Sequence, residues 1–134
     1  MVKCAISDMP YTIFGYNGKQ VRDNIHSKDL VSAFYEFYLN PKCGEVYNIG
    51  GGRESNCSIL EAIEIIERYS GKILNYQCSD VARTGDHQWW ISDLSKFKKD
   101  FPNWKMQYNI NDIIKEIVLF EIDLLNKKNK THNK

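Results

Sequence analysis

Gly18-Lys19-Gln20-Val21-Arg22-Asp23-Asn24-Ile25-His26-Ser27-Lys28-Asp29 is the stretch that decides the fold of this chain. It sets an arginine beside turn-forming glycine and aspartate, and Arg83-Thr84-Gly85-Asp86-His87 repeats the arrangement further along. A guanidinium so placed presents a fixed fork of donors, the geometry that holds the paired oxygens of a diphosphate. The glycine-rich strand-turn-helix that would bind a dinucleotide occurs nowhere in the sequence.

Outward from that stretch, Leu30, Ala33, Phe34, Phe37 and Tyr38 recur at spacings of three and four, which predicts a helix over 29–39. Asn40-Pro41 ends it, because proline disfavours helical geometry in the residue before it. Residues 44–50 predict a short strand running into Gly50-Gly51-Gly52, where glycine permits positive φ and close backbone approach. Ser58 and Glu61 fit a capping box ahead of Ile59, Leu60, Ala62, Ile63, Ile66 and Tyr69, and Gly71 closes that helix. Residues 1–20 read as loop apart from a short strand from Tyr11 to Phe14. A strand over 73–78, a loop over 83–87, and a short helix capped by Asp93 and running to about 99 follow. The last helix covers 112–125, with Ile113, Ile114, Ile117, Val118, Ile122 and Leu125 as its stripe. From Lys127 the chain is polar and basic, a composition that predicts a disordered tail over 127–134 after one folded region, 1–126.

The 134 residues, 43% hydrophobic, suffice for one domain or a piece of one. With 18 basic and 17 acidic residues the net charge is +1, so no overall field draws the chain to nucleic acid or membrane. No apolar run reaches the roughly 18 residues of a membrane span, and no signal peptide is evident. A cytoplasmic location is the default expectation. Cys4, Cys43, Cys57 and Cys78 lie far apart without a Cys-x-x-Cys pair, and read as reduced structural thiols rather than a disulfide framework or a metal site.

The blocks GKQVRDNIHSKDL, GEVYNIGGGRESNCSILEAI and ARTGDHQWWISDLSKF, in this order, resemble the C-terminal part of the extended short-chain dehydrogenase/reductase family, the NAD-dependent nucleotide-sugar epimerases and dehydratases. Within that family the Gly-Lys-Gln-Val-Arg-Asp run is similar to that of the CDP-paratose (CDP-tyvelose) 2-epimerases. The resemblance spans about residues 10–122 and implies an α/β fragment: three main helices with short strands, the NAD-binding half absent. The family's Gly-x-x-Gly-x-x-Gly turn and Tyr-x-x-x-Lys catalytic pair are missing; Tyr16-Asn17-Gly18-Lys19 has one residue too few between tyrosine and lysine. The expectation is therefore a nucleotide-sugar-binding portion of an epimerase, inactive by itself, that binds no cofactor or metal alone while NAD serves the complete enzyme. A non-catalytic binding module, or a structural partner of a separately encoded NAD-binding chain, is the alternative.

The resemblance also assigns site residues. Arg22 and Arg83 are implied to contact the nucleotide-sugar diphosphate from two sides, although Arg22 and Asp23 also suit a loop salt bridge. Lys19 and Gln20 reach the sugar or base, or line a solvated loop. Asp86 orients Arg83 or caps a turn, and no residue of this chain is assigned catalysis. His26 ties the loop to the following helix. His87, Trp89 and Trp90 suit either a pyrimidine platform or the core, and Asn48, Asp93 and Lys96 read as architectural. The helix over 29–39 and the 45–50 segment are implied to pack on the NAD-binding half. Phe34, Phe37, Tyr38, Val46 and Ile49 are then an exposed apolar patch that leads to self-association or dependence on another chain.

Overall fold

The computed structural model describes residues 1–132, and the chain forms two compact units. Met1–Gln20, Ser58–Gln88 and the chain from Asn111 make the first; Val21–Cys57 and Trp89–Ile110 make the second.

In the first unit a helix forms where loop was expected: α1, Val2–Ile6. Five residues are too few to hold a helix by propensity, and burial of Ala5 and Ile6 supplies what propensity lacks. Strand β1, Tyr11–Phe14, pairs in parallel with a later strand, Tyr76–Ser79, in register from Tyr11 opposite Tyr76 to Phe14 opposite Ser79. That later strand starts past the expected 73–78 because the Leu74 N–H is donated to the Glu67 carboxylate at 2.9 Å, which ties this stretch to the preceding helix. The helix is Ile59–Ser70 and begins with a complete capping box. Ser58 Oγ accepts from Glu61 N at 3.2 Å, and Glu61 Oε2 accepts from Ser58 N at 2.7 Å. The backbone N–H of Ser58 holds the Glu61 carboxyl below its ordinary range. Gly71 ends the helix at φ +68°, and Ala62, Ile63, Ile65 and Ile66 are its buried side.

The final helix runs Ile110–His132, beyond the predicted 112–125 at both ends, with Ile114 and Val118 buried. It includes most of the segment expected to be a disordered tail; Asn133 and Lys134 lie outside the described residues. Extending an existing helix costs far less than nucleating one, so a polar composition does not stop it. An Asp123–Lys127 pair at 2.6 Å, one turn apart, and basic residues near the negative end of the helix dipole favour the extension.

In the second unit Arg22 lies on a strand rather than in the expected loop. Strand β2, Val21–Asp23, is flanked by β3, Asn56–Ser58, and by β5, Trp89–Trp90, with Tyr76–Ser79 counted as β4. Helix α2, Ser27–Leu39, is N-capped by His26, whose Nδ1 accepts from Lys28 N at 3.1 Å, and it stops at Asn40. Its inner side meets an aromatic core of Ala33, Leu94, Phe97, Phe101 and Trp104, joined by Ile25, Phe37, Tyr47, Ile49 and Met106. Phe37 and Ile49, expected on the exposed patch, therefore pack inward. Segment 44–50 is not a strand: no strand pairs with it among the described residues. Asp29, 1% exposed, accepts the N–H groups of Gln107 and Tyr108 at 3.1 and 3.0 Å, and Trp104 Nε1 donates to the Asp29 carbonyl at 3.2 Å. With Ile59–Ser70 as α3, helix α4 is Ser95–Asp100 and Ile110–His132 is α5. The N-cap of α4 is Leu94, and Asp93 caps from one residue further out, its Oδ1 accepting from Ser95 N at 2.9 Å. No helix among the described residues is long and apolar enough to cross a membrane.

Candidate functional site

In the second unit, parallel pairing sets Arg22 opposite Trp90 and Val21 opposite Trp89, which puts Arg22 and Trp90 side by side on one face of the sheet. Arg22 is half-buried, and its Nη1 donates to the Val21 carbonyl at 2.7 Å. Trp90 is 54% exposed and Trp89 65%, so neither belongs to the core. Trp89, on the other face, lines a cavity of about 840 Å³ with Gly51, Arg53, Glu54, Asp93 and Lys98. Two of its charged groups, Lys98 and Glu54, form an ion pair. The Ser95 backbone N–H holds the Asp93 carboxyl below its ordinary range.

Asp23 ties two loops to β2. Its Oδ2 accepts from Gly52 N at 2.8 Å and from Ser92 N at 3.0 Å. The adjoining glycines divide the work: a side chain at Gly50 would meet the Asp23 carboxylate and the Ser92 hydroxyl, one at Gly51 would meet the carbonyls of Ser55 and Asn24, and Gly52 adopts φ +56°. His26, 8% exposed and stacked on Tyr108 at 4.1 Å between ring centres, belongs to the architecture.

The first unit gathers Gln20, Arg83 and Asp86 around residues 14–16. Gln20, 5% exposed, donates from Nε2 to the Phe14 carbonyl at 3.2 Å, while its Oε1 has no hydrogen-bond partner among the described residues. The Arg83 guanidinium stands over the Phe14 ring at 5.3 Å, a cation–π contact. The turn carrying it is closed by Asp86 N donating to the Arg83 carbonyl at 3.0 Å, and the Tyr16 hydroxyl donates to the Asp86 carbonyl at 3.3 Å. Gly15, Tyr16, Asn17 and Gly18 hold φ of +67°, +51°, +49° and +75°, a run of left-handed residues. A left-handed tyrosine is strained, and such strain persists only where surrounding structure enforces it. Lys19 follows this turn and is exposed. Phe14 and Tyr16 were not singled out from sequence; two aromatics flanking Gly15 were the available signal. Of the cysteines, Cys43 and Cys78 are exposed rather than built into a core.

No protein-family model matches the chain. It is 34% identical over 122 residues to a UDP-glucuronate 4-epimerase of Thermodesulfobacterium geofontis, covering 87% of this chain and 35% of that protein. It is 29% identical over 110 residues to a CDP-paratose 2-epimerase of Salmonella typhi, covering 81% and 32%. The structure of UDP-glucuronic acid 4-epimerase from Bacillus cereus, in complex with UDP-glucuronic acid and NAD, aligns with a TM-score of 0.78 at 29% identity, over 92% of this chain and 38% of that one. The chain spans about a third of the length of the curated relatives it matches. In sequence and in fold, it matches the C-terminal part of the extended short-chain dehydrogenase/reductase epimerases and dehydratases.

Proposed function

We propose that this chain is the nucleotide-sugar-binding portion of an NAD-dependent sugar epimerase or dehydratase. The observation that carries the reading is the match to relatives whose structure holds a nucleotide sugar, over nearly all of this chain. Arg22 and Arg83 each offer a guanidinium to a diphosphate, and charge-assisted contacts of that kind contribute about 1.5–3 kcal/mol each. Lys19 and Gln20 face the sugar or base, with the unsatisfied Gln20 Oε1 suited to a donor, and Asp86 holds the turn that presents Arg83. Anchoring the non-reacting diphosphate positions the sugar without fixing it, which a reaction at more than one ring orientation requires. NAD, bound outside this chain, supplies the hydride exchange. The Gly18–Asp23 motif supports a CDP-sugar, and the cytoplasm suits such a substrate.

A second reading gives the chain binding without catalysis. Here the same residues make a non-catalytic nucleotide-sugar module, or the partner of a separately encoded NAD-binding chain. Calorimetry of the chain with CDP-, UDP- and dTDP-glucose tests the binding common to both. Micromolar affinity is expected, weakened about tenfold or more in Arg22→Ala and in Arg83→Ala. Absence of heat with all three ligands, or unchanged affinity in both variants, overturns the assignment. Turnover of a CDP-sugar after addition of NAD alone would contradict its inactivity by itself.

A further inference from the structure

Phe14 ends β1 and is 39% exposed, yet its place is fixed. Its carbonyl accepts from Gln20 Nε2 at 3.2 Å, and the next N–H, that of Gly15, is donated to the Ser79 carbonyl at 2.8 Å. The loop after β4 is thereby laid along residues 14–16. Gly15 lies so near it that an added Cβ would come to 2.7 Å from the Ala82 methyl, and the Tyr16 hydroxyl donates to the Asp86 carbonyl at 3.3 Å. Between those two contacts falls Arg83, itself exposed, with its guanidinium over the Phe14 ring at 5.3 Å. Among the described residues this ring, and no carboxylate, meets the guanidinium.

We infer that Phe14 is a positioning residue for Arg83, its ring restraining the guanidinium while leaving the N–H fork for a diphosphate. A carboxylate in that place would accept those N–H groups and neutralise the charge, whereas an aromatic face attracts the cation and supplies no oxygen to satisfy the donors. The ring thus restrains without competing. A long side chain that is partly ordered before binding loses less freedom when the ligand arrives, which is how a residue that never touches the ligand raises its affinity. The inference rests on the nucleotide-sugar reading above and adds to it a residue that acts through Arg83.

In nitrogen–proton magnetic resonance spectra of the full, ligand-free chain, the Arg83 side-chain resonance, identified by its loss in Arg83→Ala, is expected upfield of the ordinary arginine position. Phe14→Leu, which keeps apolar bulk and removes the ring current, is expected to return it there. Calorimetry with CDP-, UDP- and dTDP-glucose is expected to find Phe14→Leu weakened about twofold to fivefold, the size of an exposed cation–π contact, and Phe14→Tyr equal to the parent. With Arg83→Ala already present, Phe14→Leu is expected to change nothing further, as a residue acting only through Arg83 requires. Tyr11→Leu, which removes a ring from the same strand, is expected to bind like the parent. An undisplaced Arg83 resonance, unchanged affinity in Phe14→Leu, an equal loss in the Arg83→Ala background, no recovery in Phe14→Tyr, or a similar loss in Tyr11→Leu overturns the inference and leaves binding by the parent standing. A parent that binds none of the three ligands overturns the nucleotide-sugar reading, and the role of Phe14 falls with it whatever the spectrum shows.

Discussion

Asp23 holds the amide of Gly52 at 2.8 Å, and the same carboxylate oxygen takes the amide of Ser92. One side chain thus fixes the glycine loop and the segment after β5 to the strand that carries Arg22. Asp23→Ala leaves two backbone donors without an acceptor and is expected to cost about 2–4 kcal/mol in urea unfolding. Asp23→Asn, which keeps a carbonyl oxygen of the same reach, is expected to cost less than half of that. Equal losses in the two variants would mean that charge, rather than acceptance of these amides, sustains the loop.

The glycines separate two causes of intolerance. A Cβ at Gly51 runs into the Ser55 and Asn24 carbonyls, which are backbone and cannot rotate away, whereas one at Gly71 meets nothing within 4 Å and violates only its φ of +68°. Gly71→Ala is therefore expected to cost about 1–2 kcal/mol, the penalty of a left-handed residue. Gly51→Ala is expected to exceed it severalfold or to prevent folding of the second unit. Denaturation midpoints of the two variants decide this, and a Gly51→Ala no worse than Gly71→Ala would refute the close approach.

Signals confined to one turn of chain were legible in sequence. The Ser58–Glu61 box, the Gly71 stop and the Asn40 end of α2 all follow from neighbours within four residues. Strands of two or three residues, such as β2 and β5, are shorter than the alternation that would reveal them. The spacing in α2 marked an apolar helix but not which apolar residues meet the core: Phe37 turns in and Phe34 turns out. Of the proposed binding residues, Arg22 and Arg83 were conspicuous as motif residues. The cation–π contact of Arg83 with Phe14 and the Tyr16 tie to Asp86 join residues far apart in sequence, which no local pattern records.

Tyr47 reports on the aromatic core. Burial, followed by its 2.8 Å hydrogen bond to Asp100, pushes its hydroxyl up to about 12 from 10.0. The folded state thus favours the neutral phenol, so this contribution is complete below the unfolded value of 10.0 and lost as pH rises through about 12. Ultraviolet titration of the folded chain is expected to show a late tyrosine ionisation near pH 12, and Tyr47→Phe is expected to remove that step. Stability of the parent should fall over the same alkaline interval more steeply than that of Tyr47→Phe. A titration of the parent without a late step would deny the burial and the Asp100 bond their effect.

The tryptophans give the proposed ligand a spectroscopic readout. Trp104 is 4% exposed with its Nε1 bonded, Trp89 lies on the cavity face, and Trp90 stands beside Arg22 with 54% of its surface open. A diphosphate held by Arg22 brings the attached sugar or base within reach of the Trp90 indole, and stacking of a base on such a ring contributes about 1–3 kcal/mol. Addition of a CDP-sugar is accordingly expected to shift the emission of the parent. Trp90→Phe is expected to abolish most of that shift, and Trp90→Ala to weaken binding at least about fivefold, the lower end of the stacking range. Trp89→Phe, on the opposite face, is expected to retain both the shift and the affinity. A shift that survives in Trp90→Phe and vanishes in Trp89→Phe would move the ligand to the cavity lined by Arg53 and Lys98, and Arg22 would lose its assignment.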